Sequence, residues 1–422
     1  MKVLWFSVTP SLYGDNKNAH NGGGWVASLE RIVSGIANIN LGIAFISANN
    51  CSKKKKNNIT YYPLYIKRSF LGKIADKFTY RYLDDAVIES CLKVIADFRP
   101  DIIHIFGSEW CFGLLYQYTQ IPIIIHMQGS WPAYRNAGFP PGFSRTDELL
   151  RRIFNPKALI GYLCGEHLSM EREKREEKIL SHVCLYMGRT RWDCALTKLY
   201  APNSRFYICN EALRSDFISS VEVWIPKNRD KKNLVTVGGA NYLKGYDVIL
   251  KAAYLMKKWG NINFEWKLIG PSRESLHFFE KVLNIKCCDV NIIPLGRLEA
   301  DDVKQNLLDS DIYVHASYID NSPNSICEAQ YLGIPIISTN VGGIISLFPP
   351  EYDSDLLVPT NDPYYMASAI IRVIQDKDKL SHLSELNRTI ARKRHSDINI
   401  QNEITQIYES LNNKREVNEK NG

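Results

Sequence analysis

The sequence predicts an α/β chain of two doubly wound, Rossmann-like domains facing each other across a cleft, and three observations predict it. Short β-branched or aromatic runs alternate with longer amphipathic stretches from end to end. The strand runs are continuously apolar, as in parallel sheets covered on both faces. The length, 422 residues, suits two to three domains of ~150 residues each.

Strand candidates in the first half are Val3–Val8, Ile43–Ser47, Ile59–Tyr65, Ile102–Phe106 and Ile121–His126. Those in the second half are Leu234–Val237, Phe264–Ile269, Val290–Ile293, Ile312–His315 and Ile334–Ser338. Val26, Leu29, Ile32, Val33 and Ile36 recur at helical spacing after the first strand. The run Asn228-Arg229-Asp230-Lys231-Lys232-Asn233, followed by a fresh strand, marks a seam. Residues 1–215 and 233–395 are therefore expected as the two domains, with 216–232 as linker. An amphipathic stretch at 396–413 is expected to pack back across the domains, and the polar tail 414–422 to be disordered. α/β sheets place ligands beyond the carboxyl ends of their strands.

Composition excludes several classes. Apolar residues are 45% and charged residues 23%, which is ordinary for a globular protein and excludes a disordered chain. The net charge of +7 is too mild to imply nucleic acid. No apolar run reaches the ~18 residues of a membrane span, and the N-terminus reads as a strand rather than a signal peptide. The ten cysteines include no CxxC pair, so free thiols in a reducing cytoplasm are expected and no metal site.

Three stretches carry chemistry. Asn21-Gly22-Gly23-Gly24-Trp25 opens the first helix, and it reads either as a phosphate or sugar contact or as a flexible loop. Gly238-Gly239-Ala240-Asn241-Tyr242-Leu243-Lys244-Gly245 joins a strand to a helix beginning at Tyr246. Lys244 is either a diphosphate ligand or a solvated turn lysine. The third runs from Ser317 to Ala329: Asp320 ends a loop, and Pro323, Asn324 and Ser325 open a helix that carries Glu328. Loop and helix acids eight apart can both accept hydrogen bonds from vicinal hydroxyls, while the Asn324, Ser325 and Ile326 amides face an anion.

The ordered set Lys244-Gly245, Gly270-Pro271, Leu295-Gly296-Arg297, Asp320-x7-Glu328-Ala329, Gly333-x-Pro335 and Gly342-Gly343 resembles the family-four (group 1) retaining glycosyltransferases. The resemblance spans essentially the whole chain and is concentrated in 234–345. It implies the GT-B fold. It also implies transfer of a hexose-type sugar from a nucleotide-diphosphate sugar to a saccharide or lipid-linked saccharide, in bacterial surface-polysaccharide synthesis. Lys244 and the Asn324, Ser325 and Ile326 amides would then hold the diphosphate, and Glu328 the ribose hydroxyls. Asp320 takes the first acid's place in the family's E-x7-E motif, near the transferred sugar. Gly23 and Gly24 match the glycine pair that admits the diphosphate, His126 the histidine at an N-domain strand end, and Arg297 the base pocket. The family's arginine five residues before the lysine is here Gly239, and Arg189 or Arg191 is expected to substitute. The first acid is Asp where the family has Glu. Two alternatives fit the architecture: a sugar-nucleotide 2-epimerase and a non-catalytic sugar-nucleotide-binding subunit.

No DxD pair stands in a metal-binding setting, so no cofactor or metal is expected beyond the sugar nucleotide. His104 and Glu109 end another strand and are either acceptor contacts or structural residues. His315 reads as core. Residues 53–81 hold nine Lys/Arg against Asp76, interleaved with aromatics. This segment is expected to touch an anionic membrane surface, with a solvated basic loop or a nucleic-acid contact as the other readings. The expected location is the cytoplasm, at the inner face of the membrane.

Overall fold

The computed structural model describes residues 1–14, 24–76, 79 and 81–421, with side chains as far as Asn413. Asn21, Gly22 and Gly23, named above, and residues 77, 78 and 80 of the basic segment lie outside the described residues. The chain divides into two compact units: 1–135 with 149–212 and 395–422, and 136–148 with 213–394.

The first unit holds β1 (Lys2–Ser7), β2 (Asn40–Ser47), β3 (Lys54–Lys56), β4 (Ile59–Tyr65), β5 (Ile102–Phe106), β6 (Ile123–His126), β7 (Leu185–Gly188) and β8 (Arg205–Ile208). Their order is β3-β4-β2-β1-β5-β6-β7-β8. All pairings are parallel except β3 with β4. Val3, Leu4, Trp5 and Phe6 of central β1 are fully buried, which accounts for a strand apolar on both faces. In the helix Gly24–Ser34, Val26, Leu29, Ile32 and Val33 form the buried stripe that the spacing predicts.

The second unit holds β9 (Lys232–Val237), β10 (Phe264–Ile269), β11 (Ile292–Gly296), β12 (Ile312–His315), β13 (Ile336–Thr339) and β14 (Leu357–Val358), all parallel, in the order β11-β10-β9-β12-β13-β14. Strand order reverses between β9 and β12. At such a switch point the connections leave in opposite directions and open a crevice at the strand ends.

Several boundaries differ from expectation. Residues 216–232 are part of the second unit, because Phe217 and Trp224 are buried in its core and the Trp224 indole donates to Ser310 O (2.7 Å). Residues 136–148 also join it, through Phe143 packed in tilted ring contacts against Tyr242 and Phe279. The last helix, Asp397–Asn421, continues through the stretch expected to be a disordered tail. Ile400, Ile404, Ile407, Tyr408 and Leu411 of that helix pack into the first unit's core. Among the described residues, no helix is long and apolar enough to cross a membrane.

Candidate active site

The second unit brings together residues from both sides of the β9/β12 switch point. After β9 the chain makes a short turn, Tyr242–Lys244, and Gly245 then starts the helix Tyr246–Trp259 with φ +67°. A Cβ on Gly245 would lie 1.9 Å from Ala316 O, so only glycine lets this turn close on the loop after β12. Gly342 repeats the device with φ +53°: a Cβ there would lie 2.0 Å from Asp320 O. The two glycines press both neighbouring loops onto Asp320.

Lys244 Nζ lies 2.5 Å from Asp320 Oδ2. The same oxygen meets His315 Nε2 at 3.2 Å and the Ser317 hydroxyl at 3.3 Å, while the Asn321 amide donates to Oδ1 (3.2 Å). Burial opposes the charge on Asp320, but Lys244 and then His315 outweigh it and hold the carboxyl well below the usual carboxylate range. Burial lowers the His315 pKa, against the pull of Asp320. Tyr313 supports the group from below, donating to the Ser325 hydroxyl (2.8 Å). His315 reads as core from the sequence and is indeed 2% exposed, yet it hydrogen-bonds the loop acid. A histidine at a strand's carboxyl end, five residues before Asp320, was the available signal.

The helix Asn324–Leu332 starts beside this cluster with Pro323 at its N-cap and no side-chain cap. The Ile326 amide donates to Pro323 O (3.0 Å), so of the three amides expected to face an anion this one is bonded within the first turn. Glu328, one turn in, is 2% exposed. Arg214 grips it with two bonds, Nε to Oε1 (2.7 Å) and a terminal nitrogen to Oε2 (2.8 Å). Burial raises the Glu328 pKa, and Arg214 counters part of that rise. Nothing in the sequence points to Arg214, which is 114 residues away. Arg297 is exposed on the turn after β11. Gly239 stands in open space: a Cβ there would meet nothing closer than 3.8 Å.

The remaining candidates lie in the first unit. His126 ends β6, is fully buried, and has no hydrogen-bond partner at either ring nitrogen among the described residues. Burial and then the Arg189 charge pull its pKa down to about 3, so it is neutral at pH 7. Its 3.9 Å approach to Glu211 is therefore not an ion pair. Arg189, expected to replace the missing phosphate-binding arginine, is instead buried against Glu211 (2.9 Å). Burial pushes the Glu211 carboxyl up to about 7, Arg189 opposing. His104 is fully buried, with Nδ1 2.6 Å from the Tyr408 hydroxyl, which is a place in the core rather than at an open site. Glu109 lines a cavity of about 310 Å³ with Trp110, Gln128, Trp131 and Arg172. Burial raises its carboxyl pKa. Gly24 opens the helix Gly24–Ser34.

Residues 223–390 match the family model described as glycosyl transferases, group 1. Over 77 residues, 18% of this chain and 20% of the relative, the sequence is 35% identical to the Escherichia coli UDP-Gal:alpha-D-GlcNAc-diphosphoundecaprenol alpha-1,3-galactosyltransferase. The aligned stretches span about a fifth to a quarter of the length of the curated relatives matched. Among solved structures, a sucrose-phosphate synthase from Thermosynechococcus elongatus superposes with TM-score 0.72, covering 97% of this chain and 98% of its own at 16% identity. HepE of Anabaena, in complex with UDP and glucose, gives 0.63 over 97% of this chain and 100% of its own at 12% identity. At such identities the likeness is one of fold, the GT-B fold of two parallel-sheet α/β units.

Proposed function

We propose, from a chain whose residues 223–390 belong to the group 1 glycosyl transferases, that this protein transfers a hexose-type sugar from a nucleotide-diphosphate sugar to a saccharide or lipid-linked saccharide acceptor. Transfer retains the anomeric configuration and serves bacterial surface-polysaccharide assembly (capsule, O-antigen or exopolysaccharide). The observation that carries this reading is the Lys244–Asp320–His315 cluster at a switch point, beside an uncapped helix N-terminus. One relative's name specifies a UDP-sugar and a diphosphoundecaprenol-linked acceptor, which supports the choice of substrates.

The chemistry follows from where charge develops. The bond between the sugar's anomeric carbon and the diphosphate oxygen breaks, and its electron pair leaves with the diphosphate. Lys244 and the Asn324 and Ser325 amides take up that charge, and preorganised donors of this kind supply the largest catalytic effects. The acceptor hydroxyl attacks from the face the diphosphate leaves, and its proton passes to a departing phosphate oxygen. Asp320, ionised and fixed by four neighbours, orients the sugar hydroxyls and is not a nucleophile. Glu328 holds the ribose. No step is assigned to a metal or other cofactor. The test is acceptor-dependent transfer from a nucleotide sugar, with the product's anomeric configuration read by NMR.

The lipid-linked reading has support at the surface. In the helix Phe70–Ala75 no residue is buried, and Phe70 and Leu71 are 77% and 76% exposed. Lys67, Arg68 and Lys73 flank them, and β3 adds Lys54–Lys56 at the sheet edge. Apolar insertion plus ~1 kcal/mol per cation suits an anionic leaflet, which supports the reading that the protein works at the inner face of the cytoplasmic membrane. The double variant Phe70→Ser/Leu71→Ser is expected to bind vesicles of one-third anionic lipid about tenfold more weakly. Unchanged sedimentation with vesicles at physiological salt would remove the membrane from this account.

A further inference from the structure

We infer that Arg214 is a positioning residue: by gripping both oxygens of Glu328 it keeps that buried group an ionised, fixed acceptor, and ribose recognition depends on the pair. The inference rests on the proposed donor site, in which Glu328 meets the ribose.

The geometry is specific. Arg214 is the residue immediately before the short helix Ser215–Ile218, and its guanidinium sits 4.9 Å over the Phe217 ring. Stacking fixes the plane of the guanidinium, and the two parallel bonds at 2.7 and 2.8 Å then fix the plane of the carboxylate. The carboxylate is almost wholly enclosed, its side chain 3% exposed against 33% for Arg214. A carboxylate carries about four lone-pair sites, so two remain for a vicinal diol after Arg214 has taken two.

The charge argument runs the same way. The charged groups acting on Glu328 are Arg214 and, opposing it, Asp216. From the helix packed along this one, Arg394 turns to Gln330 Oε1 (2.9 Å) and Leu347 O (2.6 Å). Burial already lifts the Glu328 carboxyl above its ordinary value with Arg214 in place. Removing Arg214 leaves a buried carboxylate beside Asp216 with no compensating cation among the described residues, so its hold on a proton strengthens further. A carboxylic acid cannot accept two hydrogen bonds from a diol in the same geometry. Raising the pH restores the carboxylate, so the defect of such a variant fades in base.

The experiment compares UDP, GDP, ADP and CDP with their 2′,3′-dideoxy counterparts, titrated calorimetrically against the full chain as wild type, Arg214→Met, Arg214→Lys and Glu328→Gln. Wild type should favour one ribonucleotide over its dideoxy form about tenfold. Arg214→Met should lose most of that preference at pH 7 while binding the dideoxy form within about twofold of wild type. It should match Glu328→Gln, regain preference by pH 9, and be partly rescued by Arg214→Lys. Full preference kept in Arg214→Met overturns the inference alone. Absence of preference in wild type overturns the ribose reading, and the inference with it. Should Arg214→Met fail to fold, Arg214→Lys decides: preference equal to wild type at every pH overturns the inference, and a reduced preference that recovers with pH supports it.

Discussion

Lys244→Met is expected to lower the transfer rate at least about a hundredfold and to cost about 3 kcal/mol of stability. The first effect follows from losing the one side-chain cation assigned to the leaving diphosphate. The second follows from what remains: Asp320, whose side chain is 13% exposed, held below the usual carboxylate range mainly by Lys244. Without the ammonium that charge is buried and underpaid, with His315, Ser317 and the Asn321 amide left to hold it among the described residues. The two effects separate in a double variant. Lys244→Met/Asp320→Asn should recover most of the stability, since neither charge is left, and none of the activity. The pH dependence has a defined sign. A carboxyl with a depressed folded pKa stabilises the fold above its unfolded value and loses that contribution as pH falls below about 4. The gap between wild type and Lys244→Met should therefore be constant near neutrality and narrow below about pH 4. Denaturant unfolding at several pH values checks this, and a gap that widens in acid would mean Lys244 does not hold Asp320 ionised.

Nucleotide binding gives the second large effect. One of UDP, GDP, ADP and CDP should raise the melting temperature by several degrees, a hundredfold excess over Kd being worth about 2.7 kcal/mol. EDTA should leave the shift unchanged, because the proposed site meets the diphosphate with Lys244 and backbone amides. Glu328→Ala should roughly halve it, tenfold weaker binding leaving about 1.4 kcal/mol. The variant loses the carboxylate assigned to the ribose and leaves Arg214 without its partner. A shift that vanishes with EDTA would put a cation in the donor site, and a shift undiminished in Glu328→Ala would move the ribose elsewhere.

Much of this architecture was legible because parallel strands buried on both faces announce themselves. Ile59–Tyr65, Ile102–Phe106, Phe264–Ile269 and Ile312–His315 occur with the expected bounds. The strands not foreseen are short or at sheet edges: Lys54–Lys56, Leu185–Gly188, Arg205–Ile208 and Leu357–Val358. Edge strands bury less, so little apolar signal is written into them. The charged run at 228–233 carries a linker's signal, yet Phe217 and Trp224 just before it anchor the segment in the second unit's core. At the site, the spacing of Lys244, Asp320 and the following helix was visible, since loop chemistry is local. Arg214 on Glu328 and Arg189 on Glu211 were not, because a long-range partner leaves no trace in local sequence. His315 was missed for a different reason: a buried histidine at a strand end looks the same whether it packs or hydrogen-bonds an acid.

The most direct measurement is transfer itself. The full chain is supplied with an α-configured nucleotide sugar carrying the base chosen by the diphosphate panel, with and without a lipid-linked saccharide acceptor, and products are followed by proton NMR. The account predicts diphosphate release that requires the acceptor and an α-linked product. An inverted product, or an epimerised sugar nucleotide formed without any acceptor, would contradict it.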